Sequence, residues 1–413
     1  MKSWKKLCLL GTTLFATVGV MAACSSGNKE SASNGLTFWY MGDGDQGIKP
    51  IVDEFTKESG IKVKIQSIPW STSRDKLLTA VASKEGPDVV QMGTTYMSEF
   101  VDAGALMDIT ENVQKSDVMK SDNFFDGSVA TTTFSEKTYA VPWYTETRGL
   151  YYRKDLLESV GYKEAPKTWD ELADAAKKLA ARGDNKYGFG VELKEPTFGF
   201  MFARQNGSKL FDKDDKPLFN QPEMVDALKF LDKLVQDGSA PKTDLGLEIG
   251  QSFGGEGVVP MFISGPWMIN SIKDSAPDID GKWGVAELPK GPVNNMSVTG
   301  GANLAVFNSS KKKEDAMKLI EYLSKPENQT KFFESTNSLP TNKESWNSDV
   351  FKNDPLISVF GKQLNESQPM PLLKQWDEIS QNFMKQWEQV VVSDKNLQEA
   401  MDELNEQTES LIK

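Results

Sequence analysis

The sequence contains no histidine and only two cysteines, Cys8 and Cys24. Catalytic triads built on histidine are therefore excluded, and so are zinc sites built from histidine and cysteine ligands. Arginine is also scarce, because only five of the 413 residues are arginines. Bidentate binding of a carboxylate or phosphate relies on arginine, so the chain has few residues with which to build a clamp for an anionic ligand.

Long apolar runs are absent except near the N-terminus, where residues 7–20 follow a basic start. This run is too short for a membrane-spanning helix, and its flanks predict a signal peptide over residues 1–23. It ends at Met21-Ala22-Ala23-Cys24, which resembles the lipobox of bacterial lipoproteins, with Met where Leu is commonest. The resemblance implies a lipid anchor on Cys24 at the outer face of the cell membrane. The alternative is an ordinary cleaved signal peptide that leaves Cys24 as a free thiol.

The segment after the cleavage point, residues 24–35, is polar and rich in serine, which predicts a flexible tether. Cys8 would be lost with the signal peptide, so we expect no disulfide in the mature chain. Loss of three lysines with that peptide would take the formal charge from −12 to −12 − 3 = −15. A chain this acidic is not expected to bind nucleic acid.

Strand-like and helix-like patterns alternate along the mature chain. Residues 36–40 (LTFWY) and the alternating apolar positions of residues 61–65 indicate strands, and residues 48–55 between them have helical spacing. Together they predict a β-α-β start, and hence an α/β fold with mostly parallel sheets and a ligand crevice at the carboxyl ends of the strands. With 413 − 23 = 390 residues remaining, we expect two lobes.

Several short segments occur in an order that is informative as a set. They are GIKV (60–63), GPDVV (86–90), YAVPW (139–143), LYYRKDL (150–156), PKTWDEL (166–172), MFISGPW (261–267) and the glycine pair at 300–301. In this order they resemble the family 1 extracellular solute-binding proteins of carbohydrate ABC importers, the group that contains maltose/maltodextrin-binding proteins. The resemblance implies two α/β lobes that close on a ligand by a hinge.

The resemblance also implies where the lobes lie and what the protein contacts. The first lobe would comprise residues 36–143 plus 298–342, and the second residues 144–297 plus 343–413, which include the C-terminal helices. A monomeric binding protein without cofactor or catalysis would deliver its ligand to the permease subunits of an ABC importer in the membrane. The alternative is that one lobe follows the other along the chain, so that the chain does not cross repeatedly between the lobes.

Aromatic side chains are expected to hold a sugar, because a pyranose has an apolar face that stacks on a ring. Trp70 follows a predicted strand, and Trp143 ends one. By the resemblance, Trp267 in Gly-Pro-Trp, Trp376 at the start of the penultimate helix and Phe198 line the cleft. Trp376 also lies on an apolar helical stripe, which is typical of core positions.

Polar side chains are expected to bind the hydroxyl groups of the sugar. The resemblance assigns this role to Asp43 and Glu146, while Asp45 and Thr95 lie in loops beside predicted strands. The family pattern has an aromatic and an acidic residue near Thr95, so this chain should make different contacts there. Arg148 can bind hydroxyl groups or an acidic sugar, although ordinary salt bridges are the simpler interpretation.

Two other functions remain open from the sequence. A secreted glycoside hydrolase or lyase could use two carboxylates, such as Asp43 and Glu146, without any histidine. A binding protein for another solute is the second alternative, and a polyamine fits the acidic composition and the aromatic residues better than a phosphate or ferric ion does.

Overall fold

The computed structural model describes residues 35–42 and 44–413. The predicted signal peptide, Cys24, all of the tether except Gly35, and Asp43 lie outside these described residues. Residues 35–413 group into one compact unit. Within the described part of the chain, no helix combines the length and the apolar content needed to cross a membrane.

The strands of the described chain form two main sheets and a short hairpin. The strands are β1 (Leu36–Met41), β2 (Val63–Ile68), β3 (Val89–Gly93), β4 (Thr133–Phe134), β5 (Lys137–Thr138), β6 (Val141–Glu146), β7 (Gly149–Arg153), β8 (Met261–Ser264), β9 (Trp283–Ala286), β10 (Ser297–Val306), β11 (Leu339–Pro340) and β12 (Ser367–Pro369). The large sheet has the order β11-β6-β10-β3-β1-β2, with β12 attached to β10. The small sheet has the order β8-β7-β9, and β4 pairs with β5.

Helices account for most of the remaining regular structure of the described residues. They are α1 (Lys49–Ser59), α2 (Trp70–Ser83), α3 (Met97–Asp102), α4 (Thr110–Lys115), α5 (Asp126–Val129), α6 (Lys154–Ser159), α7 (Trp169–Ala180), α8 (Pro196–Gln205), α9 (Pro222–Gln236), α10 (Ile249–Ser252), α11 (Met268–Ser275), α12 (Lys313–Leu323), α13 (Pro326–Thr336), α14 (Asp349–Lys352), α15 (Ile357–Leu364), α16 (Trp376–Ser393) and α17 (Leu397–Ile412). The β1-α1-β2 start confirms the predicted β-α-β unit.

The direction of the strands differs from the sequence prediction of mostly parallel sheets. β1 is parallel to β2 and β3, because the helices α1 and α2 provide the crossovers that parallel pairing needs. β10 is antiparallel to β3 and β6, and β7 is antiparallel to β8 and β9. The chain leaves the large sheet after β6 and comes back through β10 in the opposite direction, so the large sheet is mixed.

The chain moves between the two sheets through short links. β6 of the large sheet connects to β7 of the small sheet through Thr147 and Arg148, and β9 connects back to β10 through residues 287–296. After β11 the chain leaves the large sheet again, and α16 and α17 join α7, α8 and α9 in the hydrophobic core beside the small sheet. β6 pairs in the large sheet as far as Glu146, and the lobe boundaries themselves stay a prediction.

Candidate functional site

A cavity of about 350 Å³ lies beside the ends of several strands of the large sheet. Its lining residues are Trp70, Gly93, Thr94, Thr95, Tyr96, Tyr144, Glu146, Arg148, Glu195, Thr197, Val298, Thr299, Gly300, Gly301 and Met370. Trp70 follows the carboxyl end of β2, Gly93 ends β3 and Glu146 ends β6. Segments on either side of the Thr147–Arg148 link therefore share one cavity.

Two tryptophans are the most exposed large aromatic residues of the described chain, and both belong to this region. Trp70 is 38% exposed and Trp267 is 39% exposed. The ring centroid of Trp70 lies 6.5 Å from that of Tyr96, which also lines the cavity. The Trp267 ring lies beside the cavity, with its centroid 5.0 Å from the guanidinium carbon of Arg148. Two indole rings with free surface are therefore available to a ligand with apolar faces.

Arg148 stands between two carboxylates on the cavity wall. Its Nη1 lies 3.6 Å from Oε1 of Glu146, and its Nη2 lies 3.6 Å from Oε2 of Glu195. Both distances are longer than a hydrogen bond, so these are ion pairs without direct proton donation. The Nη1 atom is buried and has no hydrogen-bond partner within the described residues. The site therefore contains a guanidinium group with an N–H donor that lacks an acceptor.

Two tyrosine hydroxyl groups add neutral hydrogen-bonding capacity. Burial raises the pKa of Tyr96. Burial, together with the negative charge of Glu146 and the nearby Tyr40, raises the pKa of Tyr144 well above its ordinary value. Both hydroxyl groups therefore stay protonated at neutral pH, and each can donate or accept a hydrogen bond.

The glycine pair in β10 lines the cavity and packs closely against β6. Gly301 has a φ of 111°, and a side chain there would collide with the backbone carbonyl of Tyr144. A Cβ atom on Gly300 would lie 2.5 Å from Oε1 of Glu146. β10 has an irregular register with β6 next to this pair, between Ala302 and Asn303. The pair is thus required both by the left-handed backbone and by the closeness of Glu146.

Four of the residues expected at the site lie together. Trp70, Thr95 and Glu146 line the cavity, and Trp267 adjoins it through Arg148. Thr95 is exposed at the end of β3, where the chain turns toward α3.

Three aromatic residues expected at the site are buried in hydrophobic cores instead. Trp143 is fully buried against Phe332, with ring centroids 4.6 Å apart. Phe198 and Trp376 belong to the core beside the small sheet. Each lies on an amphipathic element whose apolar face points into a core, so none of the three lines the cavity.

Of the two aspartates expected after the first strand, only Asp45 is among the described residues, and it is not part of the cavity lining. Asp43 lies outside the described residues. Asp45 is half-buried in the loop between β1 and α1, where its backbone carbonyl accepts hydrogen bonds from the amides of Ile48 and Lys49. Burial and the charge of Asp45 raise the pKa of Tyr40 to about 12, which places Asp45 close to that ring.

Sequence reasoning did not select Glu195, although a signal for it exists. Glu195 is the N-cap of α8, and its carboxylate accepts a hydrogen bond of 3.0 Å from the Thr197 amide. An acidic residue before a proline at the first helical position is typical of a helix start. The capping side chain of Glu195 lies partly exposed, whereas Phe198 in the first turn of α8 faces the core.

A larger cavity of about 820 Å³ lies elsewhere, between the loop that includes Leu247 and helix α16. It contains none of the residues that the sequence indicates, and its wall mixes apolar with charged side chains, with Phe262 as its only aromatic residue. Phe262 in turn stacks on Tyr151, with a centroid distance of 5.1 Å. The smaller cavity has the exposed indoles and three of the residues that the sequence indicates, and it is therefore the candidate binding site. The described residues include no cluster of three or more acidic side chains suited to a metal ion.

The described chain thus has a mixed α/β architecture, and its candidate cavity lies at the links between two sheets. The sequence profile described as bacterial extracellular solute-binding protein matches residues 39–330. The chain therefore belongs to the bacterial extracellular solute-binding proteins, which confirms the resemblance seen in its motifs. At the level of the family, its role is to bind a solute and not to catalyse a reaction.

Individual relatives agree with this assignment over nearly the whole chain. The sugar-binding protein MalE of Xanthomonas citri has a similar structure, with a TM-score of 0.84 and 33% identity over 90% of this chain and 95% of that chain. The galactooligosaccharide-binding protein of Bacillus subtilis is 26% identical over 95% of this chain and 94% of its own length. A maltooligosaccharide ABC transporter solute-binding lipoprotein of Streptococcus pneumoniae is 27% identical over 91% of this chain and 90% of its own length. The predicted α/β two-lobed fold is thus confirmed.

Proposed function

We propose that this protein captures a sugar, and specifically an oligosaccharide, outside the cell membrane and delivers it to the permease subunits of an ABC importer. The observation that carries the proposal is the position of the two exposed indoles, Trp70 and Trp267, beside one cavity with charged and hydroxyl groups. Stacking surfaces next to polar groups match the apolar faces and the hydroxyl rim of a pyranose.

The relatives support the same class of ligand, because their names refer to galactooligosaccharide and maltooligosaccharide. We propose Trp70, Thr95, Glu146 and Trp267 as ligand-binding residues, with Asp43 and Asp45 in the loop after the first strand. A ligand that contacts both lobes would favour the closed arrangement by its extra contacts there. The closed form is then the one that the importer recognises.

A thermal-shift panel tests this function on the purified mature chain. We expect neutral oligosaccharides, such as maltotriose and β-1,4-galactotriose, to raise the melting temperature. A ligand present at 100 times its Kd stabilises the folded state by about 2.7 kcal/mol. A shift with spermidine and with no sugar would instead support a polyamine-binding protein. Shortened sugar products after incubation would support a glycoside-active enzyme.

We further propose that Cys24 anchors the protein to the membrane by a lipid, because it follows a lipobox-like sequence. Replacing Cys24 by Ala removes the thiol that would be acylated. We expect the Cys24→Ala protein to appear in the culture medium, whereas the unchanged protein stays in the membrane fraction. Ser25→Ala is a matched control and should not alter this distribution. Equal membrane retention of both variants would contradict the anchor.

A further inference from the structure

Arg148 occupies an unusual position, because it lies in the two-residue link between the sheets and contacts carboxylates on both sides of it. Glu146 ends β6 of the large sheet, and Glu195 caps α8 beside the small sheet. The Arg148 side chain is only 11% exposed, and the face of Trp267 covers it at 5.0 Å. The backbone is also fixed here, since the Arg148 amide donates a 3.1 Å hydrogen bond to the Ser297 hydroxyl.

This guanidinium is held by charge and not by hydrogen bonds to its neighbours. Both carboxylates stand 3.6 Å away, and the buried Nη1 donates to no atom of the described chain. A buried donor without an acceptor destabilises a protein, because it has lost its hydrogen bond to water and gained none in return. An acceptor supplied by a ligand would remove that penalty, and sugar hydroxyl oxygens are acceptors of the right kind.

The two carboxylates also make the net charge of the cavity lining negative. Glu146 and Glu195 carry two formal negative charges and Arg148 carries one positive charge, so these lining groups sum to −1. A cavity built to bind an anion would leave the arginine in excess. Here two glutamates face one arginine, although the Nη1 atom of that arginine still lacks a hydrogen-bond acceptor.

We propose that Arg148 is a ligand-binding residue that donates hydrogen bonds to sugar hydroxyl groups, and that Glu146 and Glu195 make the cavity select neutral sugars over anionic ones. This inference rests on the proposed function and adds to it the charge class of the ligand. Arg148 thus offers the planar geometry of a guanidinium for hydroxyl groups without offering a site for a carboxylate.

The test compares matched probes that differ only in charge. Maltotriitol and β-1,4-galactotriitol are neutral, and the corresponding aldonic acids carry one carboxylate at the same open-chain end. Isothermal titration gives the ratio of neutral to anionic affinity for the unchanged protein and for Arg148→Lys, Arg148→Gln and Glu195→Gln. One unit charge at roughly 8 Å changes this ratio by on the order of tenfold in a partly buried site.

The unchanged protein should prefer the neutral probe by about tenfold. Arg148→Gln makes the charge of the site more negative by one unit and should widen this preference by about another tenfold, whereas Glu195→Gln makes it less negative by one unit and should narrow the preference by about tenfold. Arg148→Lys keeps the charge but loses the planar fork, so it should weaken both probes about tenfold and leave the ratio unchanged. Thermal unfolding without ligand checks that each variant is folded.

Two outcomes would overturn the inference. A ratio of neutral to anionic affinity that is the same in all four proteins, with affinities reduced equally in the two Arg148 variants, would mean that Arg148 only supports Trp267 and the link. Unchanged affinity in Arg148→Lys would mean that the guanidinium does not contact the ligand. Failure of the unchanged protein to bind either neutral probe is a different result, because it would contradict the proposed oligosaccharide function and the inference with it.

Discussion

We expect the double substitution Trp70→Ala with Trp267→Ala to weaken sugar binding about a hundredfold, and each single substitution to weaken it about tenfold. A ring that stacks on a ligand contributes about 0.5–1.5 kcal/mol beyond the apolar area that it buries, and 1.4 kcal/mol corresponds to a factor of ten in affinity. The two rings belong to α2 and to the residue before α11, so their losses should add. Titration with the best sugar of the thermal-shift panel measures the effect.

The chain offers a control for this experiment. Leu247 is 40% exposed, nearly the same as the two tryptophans, and lines the larger cavity. Leu247→Ala should leave sugar affinity unchanged. Trp70→Phe and Trp267→Phe keep a ring and should retain most of the affinity. If instead Leu247→Ala abolished binding and the tryptophan variants bound normally, the larger cavity would be the sugar site.

Trp376→Ala is expected to reduce the free energy of unfolding by about 3–5 kcal/mol, the usual loss for a large aromatic residue in a core. Trp376 is only 3% exposed, and its ring centroid lies 5.0 Å from that of Phe200 in α8. Its removal leaves a void between α16 and α8 that the surrounding rings cannot fill without moving. Urea unfolding monitored by circular dichroism measures this loss.

Sugar affinity distinguishes the two interpretations of Trp376. If it is a core residue, the folded Trp376→Ala protein should bind sugar with nearly normal affinity, and Trp376→Phe should recover most of the stability. If Trp376→Ala unfolds normally in urea but no longer binds sugar, the indole stacks on the ligand, as the sequence resemblance implies. The comparison with Trp267→Ala, which should show the opposite pattern, makes the result decisive.

Local sequence patterns predict the secondary structure of this chain well, and they predict strand direction less well. The alternation at residues 61–65 and the helical spacing before it correspond to β2 and α1. Whether a strand runs parallel or antiparallel depends on how the chain returns to the sheet. β10 follows a long excursion through the small sheet, and no pattern within β10 itself reports the direction of that return.

For the candidate site, too, the local sequence does not specify the tertiary contacts that decide which side chains are exposed. The resemblance places both Trp267 and Trp376 in the cleft, yet Trp267 is exposed and Trp376 is buried, as the apolar stripe around Trp376 indicates. The Trp267 ring rests against Gly265, where any side chain would collide with it, and this keeps the ring at the surface. Trp376 is covered by Phe200, a contact between two helices far apart in the chain. Periodicity indicates the buried face of a helix such as α16, but it does not identify the contacts that cover that face.

The place of β10 in the large sheet has a consequence for the newly made chain. β10 lies between β3 and β6, but it begins at residue 297, whereas β6 ends at residue 146. At a synthesis rate of roughly 5–20 residues per second, about 8–30 s pass between the emergence of these two strands. During that interval β3 and β6 have unpaired edges that can pair with other chains. The large sheet is therefore completed only when a strand from the later part of the chain has inserted between β3 and β6.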